Sequence, residues 1–169
     1  MENLKMFDDS ETFQKERPTK LTEVQTESMY SNIADEIIND YRGSNKEGII
    51  KDLKSVWFND SGFEIAKEME DGYGTYKFDG DLISFLDDLG FEKRRIISAN
   101  VKEWVKAHDI KPTLKKGDII TMDRRTGLDT ESNIYITGFR IEEGCYLVHN
   151  DIDRNGGVVL PYEAVKIKE

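Results

Sequence analysis

The single cysteine and the nearest histidine lie in one predicted strand, where they could form a nucleophile and a base or part of a metal site. Cys145, Leu147 and His149 alternate along this strand and therefore share one face. The rise of a strand separates the thiol from the imidazole by roughly 13 Å, which is too far for direct proton transfer. His108 is the only other histidine, so a zinc site of the ordinary type lacks ligands. We therefore predict that Cys145 is a small buried hydrophobic residue.

A second candidate site is the acidic run Asp151-Ile-Asp153-Arg-Asn155-Gly156. It resembles the first half of an EF-hand loop, in which oxygen ligands alternate and a glycine makes the turn around calcium. The twelfth position of such a loop needs a bidentate glutamate, and Tyr162 stands there. An Asn-Gly hairpin turn with solvated acids explains the same residues. We predict no metal site, with Asp151, Asp153 and Asn155 as the one candidate set of ligands.

Pairs of carboxylates could act as a general acid and a general base. The pairs Asp87-Asp88 and Glu142-Glu143 are neighbours in the sequence, so their side chains point apart. The sequence has no glycine-rich phosphate loop, nucleophile elbow or paired-histidine motif. Gly72-Tyr73-Gly74 follows a predicted helix, whereas a nucleotide loop joins a strand to a helix. We predict that the chain is not an enzyme, has no catalytic residue and needs no cofactor.

The charge of the chain is unevenly distributed. The formal net charge is −10 over 169 residues. Residues 111–169 contain 9 basic and 10 acidic residues, which leaves 15 basic and 24 acidic residues for residues 1–110. A field of this sign repels phosphate and anionic lipid and favours a basic partner. The acidic part of the chain is therefore its N-terminal two thirds.

Two predicted helices, at about residues 46–58 and 62–70, have lengths suitable for a DNA-reading helix-turn-helix. The second helix carries Glu64, Lys67, Glu68, Glu70 and Asp71, where a reader of bases needs arginine, lysine, asparagine or glutamine. Attraction to phosphate would become repulsion on this surface. We expect no direct binding of DNA.

Residues 21–110 show the apolar period of about five helices. Capping boxes at Thr22–Gln25, Ser44–Glu47 and Ser61–Glu64 open the first three. Asp79 is predicted to cap a fourth helix that ends at Gly90. A fifth is predicted from about Glu92 to His108, before Pro112.

After Pro112 the apolar period changes from 3.6 to 2, and five short strands follow: Ile119–Met122, Asn133–Ile141, Cys145–His149, Val158–Leu160 and Val165–Ile167. So many short strands in under 60 residues predict a closed barrel. Their order, with Gly138 as a bending point and Pro161–Ala164 suited to a 3₁₀ turn before the last strand, resembles an SH3-like small β-barrel over about residues 112–169. The resemblance implies binding of peptide or nucleic acid, or no ligand.

The predicted organisation has three parts. Residues 1–20 form a flexible or loosely docked arm, residues 21–110 an acidic helical domain, and residues 111–169 the SH3-like barrel, so the fold class is α+β. The N-terminus lacks a signal-peptide pattern, and no apolar run approaches the ~18 residues of a membrane span. One cysteine allows no intrachain disulfide. We expect a cytoplasmic protein without membrane contact.

Three hypotheses for function follow. The first is a non-catalytic protein whose acidic helical surface docks on a basic, nucleic-acid-binding protein, as a phage or mobile-element inhibitor of a host defence system would. The second is an adaptor that binds peptide or nucleic acid through the SH3-like barrel. The third is a metal-dependent enzyme with unrecognised carboxylates. For the first hypothesis, the tyrosines and glycines of the segment 71–80 and its acidic flanks suit a contact surface. The alternative is that this segment is a connector whose aromatic side chains pack on the core. The predicted partner-binding residues are Glu64, Glu68, Glu70, Asp71, Tyr73, Tyr76, Asp79 and Asp81.

Overall fold

A computed structural model describes residues 16–40, 45–55, 61–73, 79–122, 133–150 and 157–168. Within these ranges the fold is α+β, with four α-helices followed by a five-stranded antiparallel sheet. The helices are α1 (Glu23–Asp40), α2 (Lys46–Ser55), α3 (Gly62–Tyr73) and α4 (Gly80–Ala107). The strands are β1 (Ile119–Met122), β2 (Ile134–Arg140), β3 (Cys145–Asn150), β4 (Val158–Pro161) and β5 (Val165–Ile167). Two 3₁₀ helices, Ile141–Glu143 and Tyr162–Ala164, precede β3 and β5.

The chain divides into two compact units. The helical unit is Thr19–Ser98, and the sheet unit is Met1–Pro18 together with Ala99–Glu169. The last turns of α4 therefore belong to the sheet unit, as do residues 16–18, which include Arg17. That residues 21–110 and 111–169 are separate domains, with 1–20 as an arm, stays a prediction.

Four helices stand where the sequence predicts about five, because α4 continues through Gly90. The apolar residues on both sides of this glycine follow one stripe: Leu82, Leu86 and Leu89 are buried, and Ile96 packs against the same core. A glycine in a helix interior costs only about 1 kcal/mol relative to alanine. Burial of an unbroken stripe outweighs that cost, so the predicted stop at Gly90 is wrong.

Side-chain caps position the helix starts in the helical unit. The Thr22 amide donates to Gln25 Oε1 at 3.0 Å and the Gln25 amide donates to Thr22 Oγ1 at 3.2 Å, which confirms the first capping box. Ser61 and Glu64 form the same reciprocal pair at the start of α3. Before α2 the cap is Asn45, whose Oδ1 accepts the Gly48 amide at 2.7 Å. Ser44, the predicted cap, lies outside the described residues.

The core of the helical unit lies between the four helices. It contains buried residues from each of them: Met29, Tyr30, Ile33, Ala34 and Ile37 from α1, Ile49 and Leu53 from α2, Ile65, Ala66 and Met69 from α3, and Leu82, Leu86 and Leu89 from α4. This cluster buries the apolar stripes that the 3.6-residue period predicts.

The sheet has the strand order β4-β3-β2-β1-β5, with β5 returning to pair with β1. Its described pairings do not close it, since β4 and β5 are the outer strands. The register of β2 against β3 shifts between Ile136 and Gly138, which confirms Gly138 as the bending point. Tyr146 is fully buried, and its hydroxyl accepts the amides of Thr113 and Leu114 at 3.0 and 2.9 Å. This side chain fixes the connection between α4 and β1.

Gly62 permits the close approach of α3 to α4. A Cβ at this position would lie 2.4 Å from the carbonyl oxygen of Ile83 and 2.6 Å from the backbone nitrogen of Asp87. The Gly62 amide also donates to Asp87 Oδ1 at 2.7 Å. Gly72, near the other end of α3, has no such neighbour within 4 Å.

We expect Gly62→Ala to lower the free energy of unfolding by about 1–3 kcal/mol, because rigid backbone atoms must move to admit the methyl group. Gly72→Ala is the matched control in the same helix, and it should raise the free energy of unfolding by about 0.5–1 kcal/mol through helix propensity. Urea unfolding followed by circular dichroism measures both changes. Equal effects of the two substitutions would contradict the packing of α3 on α4.

Candidate functional site

The exposed face of α3 carries three carboxylates in one row. Glu64, Glu68 and Asp71 follow one another at spacings of four and three, and all are exposed. Together with Lys67 and Gly72 they line one shallow depression. Lys67 is the only basic residue of this helix. The row is therefore an acidic surface at the scale of one helix; we refer to Glu64, Glu68 and Asp71 as the α3 acidic face.

The negative charge of the helical unit is concentrated in the sequence segment that contains this face. Residues 61–90 contain eight acidic and two basic residues. In contrast, α1 and α2 pair their charges with each other: Lys46 contacts Asp35 at 2.6 Å, and Lys54 contacts Glu27. In the described part of the chain, Glu68 and Asp71 take part in no ion pair.

Two acidic residues at the C-terminal end of α3 are unfavourable for the helix itself. Glu70 and Asp71 lie in the last turn of α3, and that turn contains no basic residue. The C-terminal end of a helix carries a partial negative charge, so each acid there costs a few tenths of a kcal/mol, up to about 1 kcal/mol. Helix stability alone does not account for this arrangement.

The predicted partner-binding residues separate into three groups. Glu64, Glu68, Glu70 and Asp71 are exposed on α3, and Asp81 is exposed in the first turn of α4. Asp79 instead caps α4, where its Oδ1 accepts the Leu82 amide at 3.1 Å, as the sequence predicts. Tyr73 is the last residue of α3, and its side chain lies outside the described part, as does all of Tyr76.

A groove beside α1, α3 and α4, which the sequence analysis missed, encloses about 300 Å³. Its apolar lining includes Met29, Ile65 and Leu86. Phe91 is 64% exposed at this groove, and the Arg94 guanidinium lies 4.7 Å from the centre of its ring. The carboxylate of Asp87 in the lining already accepts the Gly62 amide. The hydroxyl of Ser61, also in the lining, donates to Glu64 Oε2 at 3.1 Å.

Arg17 makes a second site, in the sheet unit. Its Nε donates to Glu163 Oε1 at 2.5 Å, and its Nη2 donates to Glu163 Oε2 at 3.1 Å. Nη1 donates to the carbonyl of Glu143 and Nη2 to that of Gly144, both at 2.7 Å. The guanidinium carbon lies 5.2 Å from the centre of the Trp104 ring. The side chains of Arg17 and Glu163 are only 12% and 4% exposed.

The electrostatics of this site keep Arg17 charged. Burial alone would lower the pKa of Arg17, but the hydrogen bonds and the charge of Glu163 outweigh burial and raise it. The sequence analysis treats residues 1–20 as an arm and does not single out Arg17. A lone arginine in a polar segment has no pattern that reveals its partner, because that partner lies 146 positions away.

Cys145 and His149 have separate environments in β3. The Cys145 thiol donates to the Glu143 carbonyl at 3.3 Å, while His149 Nδ1 lies 2.6 Å from the Asn150 carbonyl oxygen. Burial raises the pKa of Cys145, and the charge of Arg17 offsets only part of that rise. The thiol therefore stays protonated near neutral pH, and Cys145 is buried, as predicted.

Among the residues that the structure describes, no cluster of three histidine, cysteine, aspartate or glutamate side chains could hold a metal ion. Asp151, Asp153 and Asn155, the candidate calcium ligands, lie outside the described residues. Of the helices in the described ranges, none combines the length and apolar character that a bilayer crossing needs.

Comparisons with protein-family models, with curated proteins and with solved structures found no match to this chain.

Tyr162, next to Glu163, carries a buried polar group without a hydrogen-bond partner among the described residues. Its hydroxyl is enclosed, and its ring centre lies 4.4 Å from that of Tyr146. Burial is the main cause that raises the pKa of Tyr162 from 10.0 to about 12, with the neighbouring Tyr146 second. The two tyrosines therefore differ, since the Tyr146 hydroxyl accepts two backbone amides.

We expect Tyr162→Phe to raise the free energy of unfolding at neutral pH by about 1 kcal/mol, because an unpartnered buried hydroxyl costs about 1–3 kcal/mol. Tyr146→Phe, the control, should lower it by a similar amount, since two part-buried amides lose their acceptor. Urea unfolding at pH 7 compares the variants. A loss of stability in Tyr162→Phe equal to that in Tyr146→Phe would contradict the assignment.

The raised pKa of Tyr162 also predicts a dependence on alkaline pH. Below pH 10.0 the group is protonated in both the folded and the unfolded chain, so its contribution to stability is fully present. Between pH 10.0 and about 12 the unfolded chain loses this proton first, and the free energy of unfolding falls by up to about 2–3 kcal/mol. Tyr162→Phe should lack this part of the fall in a series of urea titrations.

Proposed function

We propose that this protein is a non-catalytic binding protein whose acidic helical surface docks on a basic protein, one that itself binds nucleic acid. The observation that carries the proposal is the α3 acidic face, a row of exposed carboxylates. Its last member, Asp71, lies with Glu70 in the final turn of α3, where acidic residues reduce helix stability. On α1 the acids Asp35 and Glu27 pair with lysines of α2, whereas the described ion pairs include neither Glu68 nor Asp71. Docking on a basic partner gives the row a favourable use.

The chemistry of such a partner follows from the carboxylates. Side chains at helical spacings of three and four lie about 5–6 Å apart, so the α3 acidic face offers a row of oxyanions. Lysine and arginine side chains that bind phosphate also bind carboxylate, arginine through two parallel hydrogen bonds. A surface that holds a nucleic-acid backbone therefore suits this helix face, and occupying that surface would block the nucleic acid.

The biological setting that we propose is an accessory protein of a phage or mobile element that inhibits a host defence protein in the cytoplasm. Its support is analogy with inhibitors that occupy nucleic-acid-binding surfaces, together with the acidic charge of the chain. The single cysteine fits a reducing compartment.

A second candidate function is an adaptor that binds peptide or nucleic acid through an SH3-like barrel. Two features support it: the strand order, in which β5 lies beside β1, and the 3₁₀ helix Tyr162–Ala164 between β4 and β5. In this proposal the outer strands β4 and β5 complete a small barrel, and the helices act as a scaffold.

The triple variant Glu64→Gln, Glu68→Gln and Asp71→Asn tests the proposed function. We expect it to bind a labelled arginine- and lysine-rich peptide about tenfold more weakly at low salt, at about 0.5 kcal/mol for each carboxylate. Glutamine at position 64 keeps the capping box with Ser61, so α3 should stay folded. Fluorescence anisotropy at ionic strengths between about 0.01 and 0.15 M gives the dissociation constants, and the wild-type affinity should fall steeply over that range.

The control removes equal charge elsewhere in the helical unit. Glu23, Glu36 and Glu47 are exposed on α1 and α2, and their substitution by glutamine changes the net charge by the same amount. This control should bind nearly as well as the wild type. If both triple variants weaken binding equally, only net charge matters, and the α3 acidic face is not a docking site. If the dissociation constant of the peptide changes neither with ionic strength nor with the α3 substitutions, the adaptor function is favoured.

A further inference from the structure

The groups that surround Arg17 form a receptor for a guanidinium ion. We call them the Glu163 pocket: the carboxylate of Glu163, the carbonyls of Glu143 and Gly144, and the ring of Trp104. All belong to the sheet unit. The pocket thus combines an anion, two neutral acceptors and an aromatic face, which are the groups that bind arginine elsewhere in proteins.

The geometry of the pocket selects arginine rather than lysine. Arg17 directs five contacts from its three nitrogens: two to Glu163, one to each carbonyl, and a long one of 4.0 Å from Nη1 to the Cys145 sulfur. A guanidinium has five donor hydrogens in a flat fork, so it can satisfy acceptors spread around its edge. An ammonium has three donors at one point and cannot reach both carboxylate oxygens and both carbonyls together.

The pocket is built by α4, the turn before β3 and the 3₁₀ helix Tyr162–Ala164, whereas the group that fills it comes from a short irregular segment of the same unit. Residues 16–19 belong to no helix or strand. Within residues 16–20, the described hydrogen bonds are those of the Arg17 side chain. Glu16, Thr19 and Lys20 are exposed. Release of the Arg17 side chain would therefore open the pocket.

We propose that the Glu163 pocket is an arginine-binding site that Arg17 fills in cis, and that an arginine side chain of a protein partner takes the place of Arg17. The basic character of that partner rests on the proposed function; the existence of the pocket does not. Because Arg17 is part of the same chain, it competes at a high effective concentration. An external arginine can bind only those molecules in which Arg17 has left the pocket, so its apparent affinity is the intrinsic affinity multiplied by that fraction.

The test removes the tethered ligand and supplies a free one. In the full chain, Arg17→Ala leaves the Glu163 carboxylate buried without its partner and should lower Tm. Ethylguanidinium chloride, at millimolar concentrations well below those that denature, should raise the Tm of this variant saturably by about 2–4 °C. Ethylammonium chloride at the same concentration should not raise it. The wild type, whose pocket is filled, should respond to neither.

Two further variants keep the result decisive. Arg17→Ala combined with Glu163→Gln removes the anion of the pocket and should lose the response to ethylguanidinium. If Arg17→Ala does not fold, Arg17→Lys retains the positive charge, and ethylguanidinium should still raise its Tm more than ethylammonium does. Equal effects of the two cations on Arg17→Ala, or on Arg17→Lys where it replaces the alanine variant, would overturn the proposal.

A second experiment, with peptides, tests whether the Glu163 pocket binds the arginine of a protein partner. Arg17→Ala should bind an arginine-rich peptide about tenfold or more tightly than the wild type does, because the cis competitor is gone. Its affinity for a matched lysine-rich peptide should not increase. Failure of the ethylguanidinium response would leave the proposed function standing, since that function is tested by the α3 substitutions. If the α3 substitutions do not weaken peptide binding, the proposed function is contradicted and the proposal of an arginine-binding pocket is not affected.

Discussion

The buried charge of Glu163 is the strongest single constraint on the sheet unit. A carboxylate that is 4% exposed has given up most of its hydration, and it is tolerated only because Arg17 supplies the opposite charge and two hydrogen bonds. Removing one member of such a pair costs about 3–5 kcal/mol, since the other stays buried without compensation. Residues near the two ends of the chain are thus held together, and the 3₁₀ helix before β5 is fixed with them.

Carboxylates in this protein have two separate uses. Asp79 caps α4, Asp87 accepts the first amide of α3, and Glu163 holds Arg17. These groups are engaged in maintaining the fold. In the α3 acidic face, Glu64 also belongs to the capping box with Ser61. Glu68 and Asp71 are exposed, and Asp71 stands in the last turn, where the helix gains nothing from it.

Local sequence signals predict many of the elements because they act over a few residues. The reciprocal pairs of Thr22 with Gln25 and of Ser61 with Glu64 are formed, and Asp79 caps α4. The alternation after Pro112 predicts all five strands of the sheet. Gly90 is the instructive failure, since its local preference to end a helix was outweighed by Leu89 and Ile96 packing on the same core. The acids of α3 could be identified as a candidate surface because their spacing follows from the helix.

The sequence by itself determined the helix caps, the apolar periods, the α+β class and the concentration of acid in residues 61–90, because each depends on neighbours along the chain. Tertiary structure alone decided that α3 crosses α4 at Gly62, that β5 pairs with β1, and that Arg17 enters the Glu163 pocket. These contacts join residues far apart in sequence, and no local pattern marks either partner. Their free energy comes from desolvation and close packing, which exist only after the distant segments have met.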